Sequence, residues 1–318
     1  METRDFGRLG RVSALTLGGG GIAGVWGGTD RDEAVATVHA ALDAGITMLD
    51  VAPSYGVDAE AERAVGVALR SRPAPDVLVT TKVQLPDDEE RDLVRRIRES
   101  LRDSLERLGR EHLDLFLLHT YLRPADGSPA PGALSWAGYR DEVVPEFERL
   151  REQGTIRAWG ITGIGHPRGV VEALAGTPRP DAAQVVVNAL DLTGDMWAFG
   201  PDLEPANGEI HRLADENGVS VVGIRAVAAG SLTNALDRAV EPDHPAAVDF
   251  ARAEPFRKLA AVMGETPAAL AHRYALSVPG VATVVLGVKN RAELAECVEA
   301  EARGPLSADE LKAIAELR

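Results

Sequence analysis

The chain has little cysteine, little lysine and no excess of positive charge, and each shortage excludes a class of protein. A single cysteine, Cys297, among 318 residues excludes an intramolecular disulfide and is typical of a reducing compartment. Lysine and arginine total 34 against 49 aspartate and glutamate residues, which gives a net charge of −15. A nucleic-acid partner is therefore disfavoured, because binding phosphates needs an excess of cations.

Long hydrophobic runs are also missing. No apolar stretch approaches the ~20 residues that a transmembrane helix needs. The N-terminal segment "METRDFGRLG" has no apolar centre of the kind that a signal peptide requires. Hydrophobic residues nevertheless make up 45% of the chain, an ordinary share for a globular protein. We therefore expect a cytoplasmic protein with neither a membrane nor a nucleic-acid partner.

The chain does contain a regular alternation of short apolar runs and amphipathic stretches. Continuous apolar runs are typical of strands buried on both faces, as in a parallel sheet. The amphipathic stretches have helical length, and several end in glycine or Asn-Gly, which is a helix-terminating signal. Roughly eight strand-then-helix units predict an α/β fold, a (β/α)8 TIM barrel, with residues 1–318 as a single domain. The predicted strands are "ALTLGG", "ITMLDVA", "VLVTTKV", "LDLFLLH", "IRAWGIT", "AAQVVVN", "VSVVGIRA" and "VATVVLGV".

Three long segments interrupt this alternation, each of them after a predicted strand. They are "TYLRPADGSPAPGALSWAGY", "LDLTGDMWAFGPDLEPANG" and "AAGSLTNALDRAVEPDHPAAVDFA". In a barrel these loops lie on the C-terminal face, where such folds keep their active sites. Aromatic residues form only 4% of the chain, yet Trp136, Tyr139, Trp197 and Phe199 all fall in these loops. We expect the four rings to wall an apolar pocket, with surface insertions as the alternative.

The glycine-rich stretch "LTLGGGGIAGVWGG" contains a G-x-G-x-x-G match at Gly19, Gly21 and Gly24, followed nineteen residues later by Asp43. In a Rossmann unit a helix begins within this motif, and its amides face a pyrophosphate. Here two further glycines follow and would break such a helix. The next helix start is expected at Asp30 or at the aspartate two residues later, since either can cap it. We therefore interpret the glycines as the end of the first barrel strand and the loop after it.

Four polar residues stand at or just beyond the ends of three consecutive predicted strands: Asp50, Tyr55, Lys82 and His119. Strands of a barrel end on one rim, so a carboxylate, a phenol, an ammonium and an imidazole can converge there. This set suits proton transfer to a carbonyl oxygen. A nearby ammonium lowers the pKa of a phenol, a buried carboxylate keeps the ammonium charged, and an imidazole orients the carbonyl.

Each of these residues taken singly also has an ordinary structural interpretation, such as a helix cap, a loop wall, a solvated ammonium or a hydrogen-bonded core histidine. The sequence contains no motif for metal-dependent or serine-nucleophile catalysis. No metal-ligand spacing is present among the other histidines, and no nucleophile elbow of a serine hydrolase occurs. The other histidines are His39, His112, His166, His211, His244 and His272.

With these residues in view, almost the whole chain resembles the aldo-keto reductase superfamily. "FGRLGRVSALTLGGG" resembles the family's N-terminal β-hairpin and first barrel strand, and "GITMLDVAPSYG" its signature around the aspartate and tyrosine. "TTK" resembles the lysine strand and "LDLFLLH" the histidine strand. The resemblance implies that Asp50, Tyr55, Lys82 and His119 form the catalytic tetrad, with Tyr55 as the general acid.

The resemblance also implies a nicotinamide cofactor site along the C-terminal rim. "GTIRAWGIT" resembles the segment that lines the nicotinamide, Gln184 stands where the family has an amide for the carboxamide group, and "AAGSLT" and "LGVKNRAEL" resemble the phosphate-binding segments. The residues that this assigns to cofactor binding are Gly19, Gly20, Thr162, Gln184, Ile224, Arg225, Gly230, Leu232, Gly287, Lys289, Glu293 and Cys297.

This chain departs from the family pattern at several of these positions. Thr162 and the glycine after it replace a usual Ser-Asn pair, and Ile224 followed by Arg225 replaces an aromatic that stacks on the nicotinamide. Glu293 stands where an arginine often grips the 2′-phosphate, and Cys297 where an asparagine lies near the adenine. Because a guanidinium is planar, Arg225 is expected to take over part of the stacking, with a structural ion pair as the alternative.

The function expected from these observations is the reduction of an aldehyde or ketone by hydride transfer, or the oxidation of an alcohol or sugar. Lysine is scarce, and Lys289 follows the eighth strand, so we predict NADP(H) as the cofactor, with NAD(H) as the alternative. A regulatory module that only binds the cofactor is a second hypothesis, which an intact tetrad disfavours. A barrel isomerase or hydrolase would need a phosphate clamp or metal site that the sequence does not show.

Overall fold

Eight parallel strands form a closed barrel in the computed structural model, which describes residues 1–85, 92–200 and 202–318. Each strand pairs with its neighbours in chain order, and the last strand closes the ring by pairing with the first. Every predicted apolar run forms one strand, so the predicted barrel is confirmed. The strands are β3 (Leu15–Gly18), β4 (Met48–Asp50), β5 (Leu78–Val83), β6 (Leu113–Leu118), β7 (Ile156–Thr162), β8 (Ala182–Val186), β9 (Ser220–Ile224) and β10 (Val281–Leu286).

Helices surround the barrel and cover the outer faces of its strands. They are α1 (Gly19–Ile22), α2 (Arg31–Asp43), α3 (Glu60–Ser71), α4 (Leu93–Leu108), α5 (Trp136–Gly138), α6 (Val144–Glu152), α7 (Pro167–Ala175), α8 (Asn207–Glu216), α9 (Pro245–Arg252), α10 (Glu254–Val262), α11 (Pro267–Ser277), α12 (Arg291–Ala302) and α13 (Ala308–Ala315). The expected start of α2 is confirmed, because the Asp30 side chain accepts a hydrogen bond from the backbone N–H of Glu33 at 2.9 Å.

The local sequence explains where these helices lie. In α4 the buried residues Leu93, Ile97 and Leu101 recur every four positions, which directs one face of the helix at the strands. The helix ends at Gly109, whose φ of 67° is the left-handed conformation that terminates many helices. The strands themselves are buried on both faces, which is why they appear in the sequence without polar alternation.

An N-terminal hairpin closes the end of the barrel opposite the active-site rim. It consists of β1 (Thr3–Asp5) and β2 (Arg11–Ser13), which pair antiparallel, as the family resemblance implies. Phe6 and Val12 are buried in a cluster with Met48 and Leu78, the first residues of β4 and β5. The hairpin therefore covers the N-terminal end of the barrel, and the predicted site lies at the other end.

The glycine-rich stretch serves close packing within the barrel. β3 ends at Gly18 and runs into α1, a single helical turn, where the sequence predicts a loop. A Cβ atom at Gly21 would overlap the carbonyl oxygen of Val288, so glycine lets α1 lie directly against the chain after β10. Asp43, the candidate ribose ligand of a Rossmann unit, is the exposed last residue of α2 and pairs with Arg72. The Rossmann interpretation is therefore wrong for this chain, as its context predicts.

The three long loops all follow strands and lie at the rim, as predicted. They contain more helix than expected, since α5 lies in the first and α9 in the third. α9 begins with a proline at its first turn, and the His244 side chain accepts a hydrogen bond from the backbone N–H of Ala246. Position 201, in the second loop, lies outside the described residues. Within the described part of the chain, every helix is too short or too polar to span a bilayer.

Candidate active site

A buried ion pair between Asp50 and Lys82 lies at the centre of the rim. Asp50 is the last residue of β4, and Lys82 lies near the end of the adjacent strand β5. The Lys82 Nζ is 2.8 Å from Oδ2 of Asp50 and 2.9 Å from the carbonyl oxygen of Val51, and its side chain is completely buried. Burial alone lowers the pKa of Lys82, but Asp50 and Tyr55 outweigh it and the pKa is raised. Lys82 is therefore an ammonium at neutral pH.

Tyr55, in the loop after β4, lies directly beside this ammonium. The Lys82 Nζ is 4.6 Å from the centre of the Tyr55 ring. Burial raises the pKa of the Tyr55 hydroxyl, while Lys82 lowers it and Asp50 raises it, and the net direction is upward. The sequence predicts that the ammonium lowers the pKa of Tyr55. In the structure the ammonium does lower it, but burial raises it by more. Tyr55 is thus a protonated phenol beside a cation that will stabilise its anion.

His119 completes the tetrad from the residue after β6. Its ring meets that of Tyr55 edge to face, with centres 5.8 Å apart and planes at 90°. Burial, and then the charge on Lys82, lowers the pKa of His119 to about 3, so the imidazole is neutral at physiological pH. Its Nδ1 is buried and has no hydrogen-bond partner among the described residues. The structure therefore brings all four predicted catalytic residues together.

Gln184 and Thr162, from strands on the other side of the barrel, also face this centre. The amide Nε2 of Gln184 donates a hydrogen bond to Oδ1 of Asp50 at 2.9 Å. The sequence assigned this amide to the cofactor, whereas its donor group holds Asp50, although Gln184 also lines the cleft. Oγ1 of Thr162 is buried and has no hydrogen-bond partner among the described residues. A ligand in the cleft would supply the partner that this hydroxyl lacks.

A single cleft of about 800 Å³ joins the catalytic rim to the chain after β10. Its volume lies in the upper part of the ~300–1,000 Å³ range of ligand sites. Because it extends from the rim to the segment after β10, the cleft can hold an elongated molecule. Asp50, Tyr55 and His119 line one end. Ten of the twelve predicted cofactor residues line the cleft: Gly20, Thr162, Gln184, Ile224, Arg225, Gly230, Gly287, Lys289, Glu293 and Cys297.

The other two predicted cofactor residues, Gly19 and Leu232, do not line the cleft. Gly19 is buried in α1, where a Cβ atom would lie 2.8 Å from Cγ1 of Val51 and 2.9 Å from the Cβ of Ala61. Leu232 is fully buried in a cluster around α10 and α11, and its N–H bonds the carbonyl oxygen of Val227. Both residues pack within the protein, and their assignment to the cofactor stays a prediction.

Arg225 follows β9 and adopts a left-handed conformation with φ 60°, which is uncommon for a non-glycine residue. Its guanidinium lies over the ring of Trp26, 5.5 Å from the ring centre, and Nη2 is 3.4 Å from the carbonyl oxygen of Thr193. Arg238 lies 5.7 Å from the same ring. The planar group that we expected to meet the nicotinamide therefore stacks on an indole of the protein, although Arg225 still lines the cleft.

The aromatic rings that line the cleft are not the four that the sequence predicts. Trp136 and Tyr139 pack against the main core cluster, and Trp197 lines a small separate pocket beside Met196. The prediction is therefore wrong for this cleft. The rings that line it are those of Tyr55, His119, Tyr121, His272 and Trp26. Tyr121 follows β6 by three residues, a spacing that could have been noticed. Trp26 lies in the loop after α1, which the sequence interpretation treated only as a helix breaker.

Cys297 and His272 line the end of the cleft that is remote from Tyr55, which we call the far end. The Cys297 Sγ lies 3.8 Å from both ring nitrogens of His272, and Nδ1 of His272 is 2.8 Å from the carbonyl oxygen of Ala268. Burial raises the pKa of Cys297, so the side chain is a thiol. Burial also lowers the pKa of His272. Cys297, which stands where the family has an asparagine, is therefore a neutral thiol beside a neutral histidine.

Comparison with known proteins places nearly the whole chain in the family that the sequence resembles. The family model described as "Aldo/keto reductase family" matches residues 14–318. An L-galactose dehydrogenase of Arabidopsis thaliana is 27% identical over 309 residues, which cover 94% of this chain and 88% of that protein.

Two solved structures share the fold at the same TM-score of 0.71 and 26% identity. They are the holo form of the aldo-keto reductase AKR11C1 from Bacillus halodurans and the glycerol dehydrogenase AKR11B4 from Gluconobacter oxydans. Each alignment covers 96% of this chain, and 92% and 91% of those chains, respectively. With its closed barrel, its buried Asp50–Lys82 pair and a family match over nearly its full length, the chain belongs to the aldo/keto reductase family.

Proposed function

We propose that this protein transfers hydride between a nicotinamide cofactor and a small carbonyl or alcohol substrate, with Tyr55 as the proton donor. The observation that carries the proposal is the contact of the Lys82 ammonium with Asp50 on one side and the Tyr55 ring on the other. A module that only binds the cofactor has no need of a buried ammonium beside a phenol. The family membership supports the same class of reaction.

The side chains of this site have complementary roles in carbonyl reduction. A reduced nicotinamide supplies hydride to the carbonyl carbon when it is bound. Tyr55 gives its proton to the carbonyl oxygen, which becomes the hydroxyl of the product, and Lys82 stabilises the phenolate that remains. Asp50 keeps Lys82 charged and fixed in place. The neutral His119 donates a hydrogen bond to the carbonyl oxygen and orients it for both transfers.

The cleft offers polar groups that suit a nicotinamide cofactor. The unpartnered hydroxyl of Thr162 and the side-chain carbonyl oxygen of Gln184 are available to the carboxamide group of a nicotinamide beside Tyr55. Gly20 and Gly287 line the middle of the cleft, where the absence of side chains lets a phosphate-bearing ligand approach the backbone. Lys289 and Cys297 line the far end, which the adenosine half of the cofactor would reach.

Several finer predictions remain proposals. NADP(H) is the cofactor that the sequence predicts from Lys289, but the carboxylates bound to this lysine count against it and favour the alternative, NAD(H). One domain over residues 1–318 and a cytoplasmic location also remain predictions. The substrate class that we propose is a sugar or small polyol. Its support is that one relative is named an L-galactose dehydrogenase and another a glycerol dehydrogenase.

The proposal is tested by a panel of aldoses, ketoses, polyols and simple aldehydes, each with the oxidised or reduced forms of both cofactors. The change in nicotinamide absorbance reports turnover. We expect turnover with at least one hydroxyl or carbonyl substrate and its loss in the Tyr55→Phe variant. Cofactor binding without turnover across the panel would contradict the proposal and support the alternative of a binding module.

A further inference from the structure

The far end of the cleft carries more negative than positive charge. Three carboxylates line this region: Asp237, Glu293 and Glu296. Among the described residues, Lys289 is the cation that lines it, and Arg238, which lies outside the lining, pairs with Asp237 at 3.5 Å. The other lining cation, Arg225, acts on Tyr55 at the opposite end of the cleft. Anything that binds here therefore meets an excess of negative charge.

Lys289 is held by two of these carboxylates. Its Nζ lies 2.8 Å from Oε1 of Glu293 and 3.1 Å from Oδ2 of Asp237. The second carboxylate oxygen of Glu293 accepts a hydrogen bond from the backbone N–H of Lys289 at 2.9 Å. Burial alone lowers the pKa of Lys289, but the two carboxylates outweigh it and the pKa is raised. The lysine is therefore charged, and two carboxylates surround it, of which Asp237 also pairs with Arg238 at 3.5 Å.

This arrangement disfavours an additional phosphate group. NADP(H) differs from NAD(H) by a 2′-phosphate on the adenosine ribose. A cofactor whose nicotinamide lay beside Tyr55 would bring that ribose near Lys289, which lines the same cleft. To bond Lys289, the phosphate would have to displace Asp237 or Glu293, and both carboxylates would repel it. The ribose 2′-hydroxyl of NAD(H) carries no charge and can donate a hydrogen bond to a carboxylate.

We infer that Asp237 and Glu293, by holding Lys289 between them, make this protein select NAD(H) over NADP(H). This inference rests on the proposed function, since it concerns the cofactor of the same cleft. Asp237 comes from the segment after β9 and Glu293 from the first turn of α12, so two separate elements contribute to the selection. These are specificity-determining residues that act on affinity, while the chemical step belongs to the other end of the cleft.

Equilibrium binding of NADH and NADPH to the full chain tests the inference without any turnover. Calorimetry or quenching of tryptophan fluorescence reports binding, because Trp26 lines the cleft. We expect NADH to bind at least about tenfold more tightly, the effect expected from one charge-assisted hydrogen bond. All titrations need one fixed ionic strength, because salt screens these charges.

Two single variants locate the effect. Asp237→Asn and Glu293→Gln each remove one negative charge and keep the size of the side chain, and each should tighten NADPH binding about tenfold while changing NADH binding much less. Glu241→Gln is the matched control. It removes the same charge from the exposed part of the segment that carries Asp237, outside the lining of the cleft. It should leave the ratio of the two dissociation constants unchanged.

The outcomes separate this inference from the proposed function. Tighter binding of NADPH by the wild-type protein would overturn the inference and leave the proposed function intact. An unchanged ratio in both cleft variants would also overturn it, as would an equal change in the Glu241→Gln control. If neither cofactor binds the wild-type protein, the proposed function fails and the inference fails with it.

Discussion

Gln184 and Asp50, 134 residues apart in the chain, are joined by a 2.9 Å hydrogen bond from the side-chain amide to the carboxylate. Asp50 in turn accepts from Lys82 with its other oxygen. Both carboxylate oxygens are thus occupied in a buried environment, where an unpaired oxygen would be costly. The orientation of the Lys82 ammonium therefore depends on a strand on the opposite side of the barrel.

The replacement Gln184→Leu removes this hydrogen bond. We expect the free energy of unfolding to fall by about 1–3 kcal/mol, because Oδ1 of Asp50 is left buried and unsatisfied. Urea denaturation measures the change. Gln153→Leu is the control, since Gln153 is exposed at the end of α6 and its loss should cost no more than about 0.5 kcal/mol. Equal losses in both variants would show that the bond to Asp50 contributes nothing specific.

Tyr55→Phe should reduce kcat by about 100- to 10,000-fold, the range expected when a general acid is removed. The Kd of the cofactor should stay nearly the same, because the ring remains. Tyr121→Phe is a matched change, since Tyr121 lines the same cleft but bonds the carbonyl oxygen of Met196. Steady-state kinetics, under conditions in which the chemical step limits the rate, measures kcat of both variants. A Phe variant at position 55 with more than a tenth of the wild-type kcat would rule out the assigned role.

Lys82→Met leaves the buried Asp50 carboxylate without its cation. Breaking a buried ion pair in this way costs about 3–5 kcal/mol, so the variant should be much less stable in thermal or urea denaturation. Lys82 is the group that most strongly lowers the pKa of Tyr55, so the pH–rate profile of any folded variant should shift to higher pH. If the profile keeps its position, Lys82 does not set the acidity of the proton donor. The double replacement of Asp50 by Asn and Lys82 by Met gives a variant without the unpaired carboxylate.

His119 should contribute a pH-dependent stability whose sign follows from its lowered pKa. The folded protein takes up this proton only near pH 3, whereas the unfolded chain takes it up near ~6.5. Between these values the unfolded state binds more protons. The contribution of His119 to the free energy of unfolding is therefore fully present above pH ~6.5 and decreases as the pH falls towards 3. The wild-type protein should lose more stability over this interval than His119→Asn does. Urea midpoints measured from neutral to acidic pH would test this, and parallel curves would contradict it.

Gly21→Ala tests the packing role of the glycine-rich stretch. The added Cβ would overlap the Val288 carbonyl oxygen, so α1 or the chain after β10 must move. We expect a loss of at least about 1–3 kcal/mol in stability and weaker cofactor binding, since Val288 lines the cleft. Gly28→Ala is the control, because an added Cβ there meets nothing within 4 Å. Both effects should be absent in the control.

The sequence alone determined the barrel and brought together the proposed catalytic residues. The strands are short apolar runs because both of their faces are buried, and this property is local, so it is visible without the fold. Asp50, Lys82 and His119 were predictable for the same reason. Each stands at or just beyond the end of such a run, and consecutive barrel strands necessarily end on one rim.

Only the tertiary structure decided which groups surround the bound molecules and what charge they present. Lys289 has the sequence features of a phosphate ligand, but one of its carboxylate partners, Asp237, lies 52 residues away. Trp26 is a wall of the cleft and contacts Arg225, which lies about two hundred residues further along the chain. Trp136 is partly buried against the core although its loop lies at the rim. These contacts depend on how distant segments meet, and no local pattern in a single sequence records that.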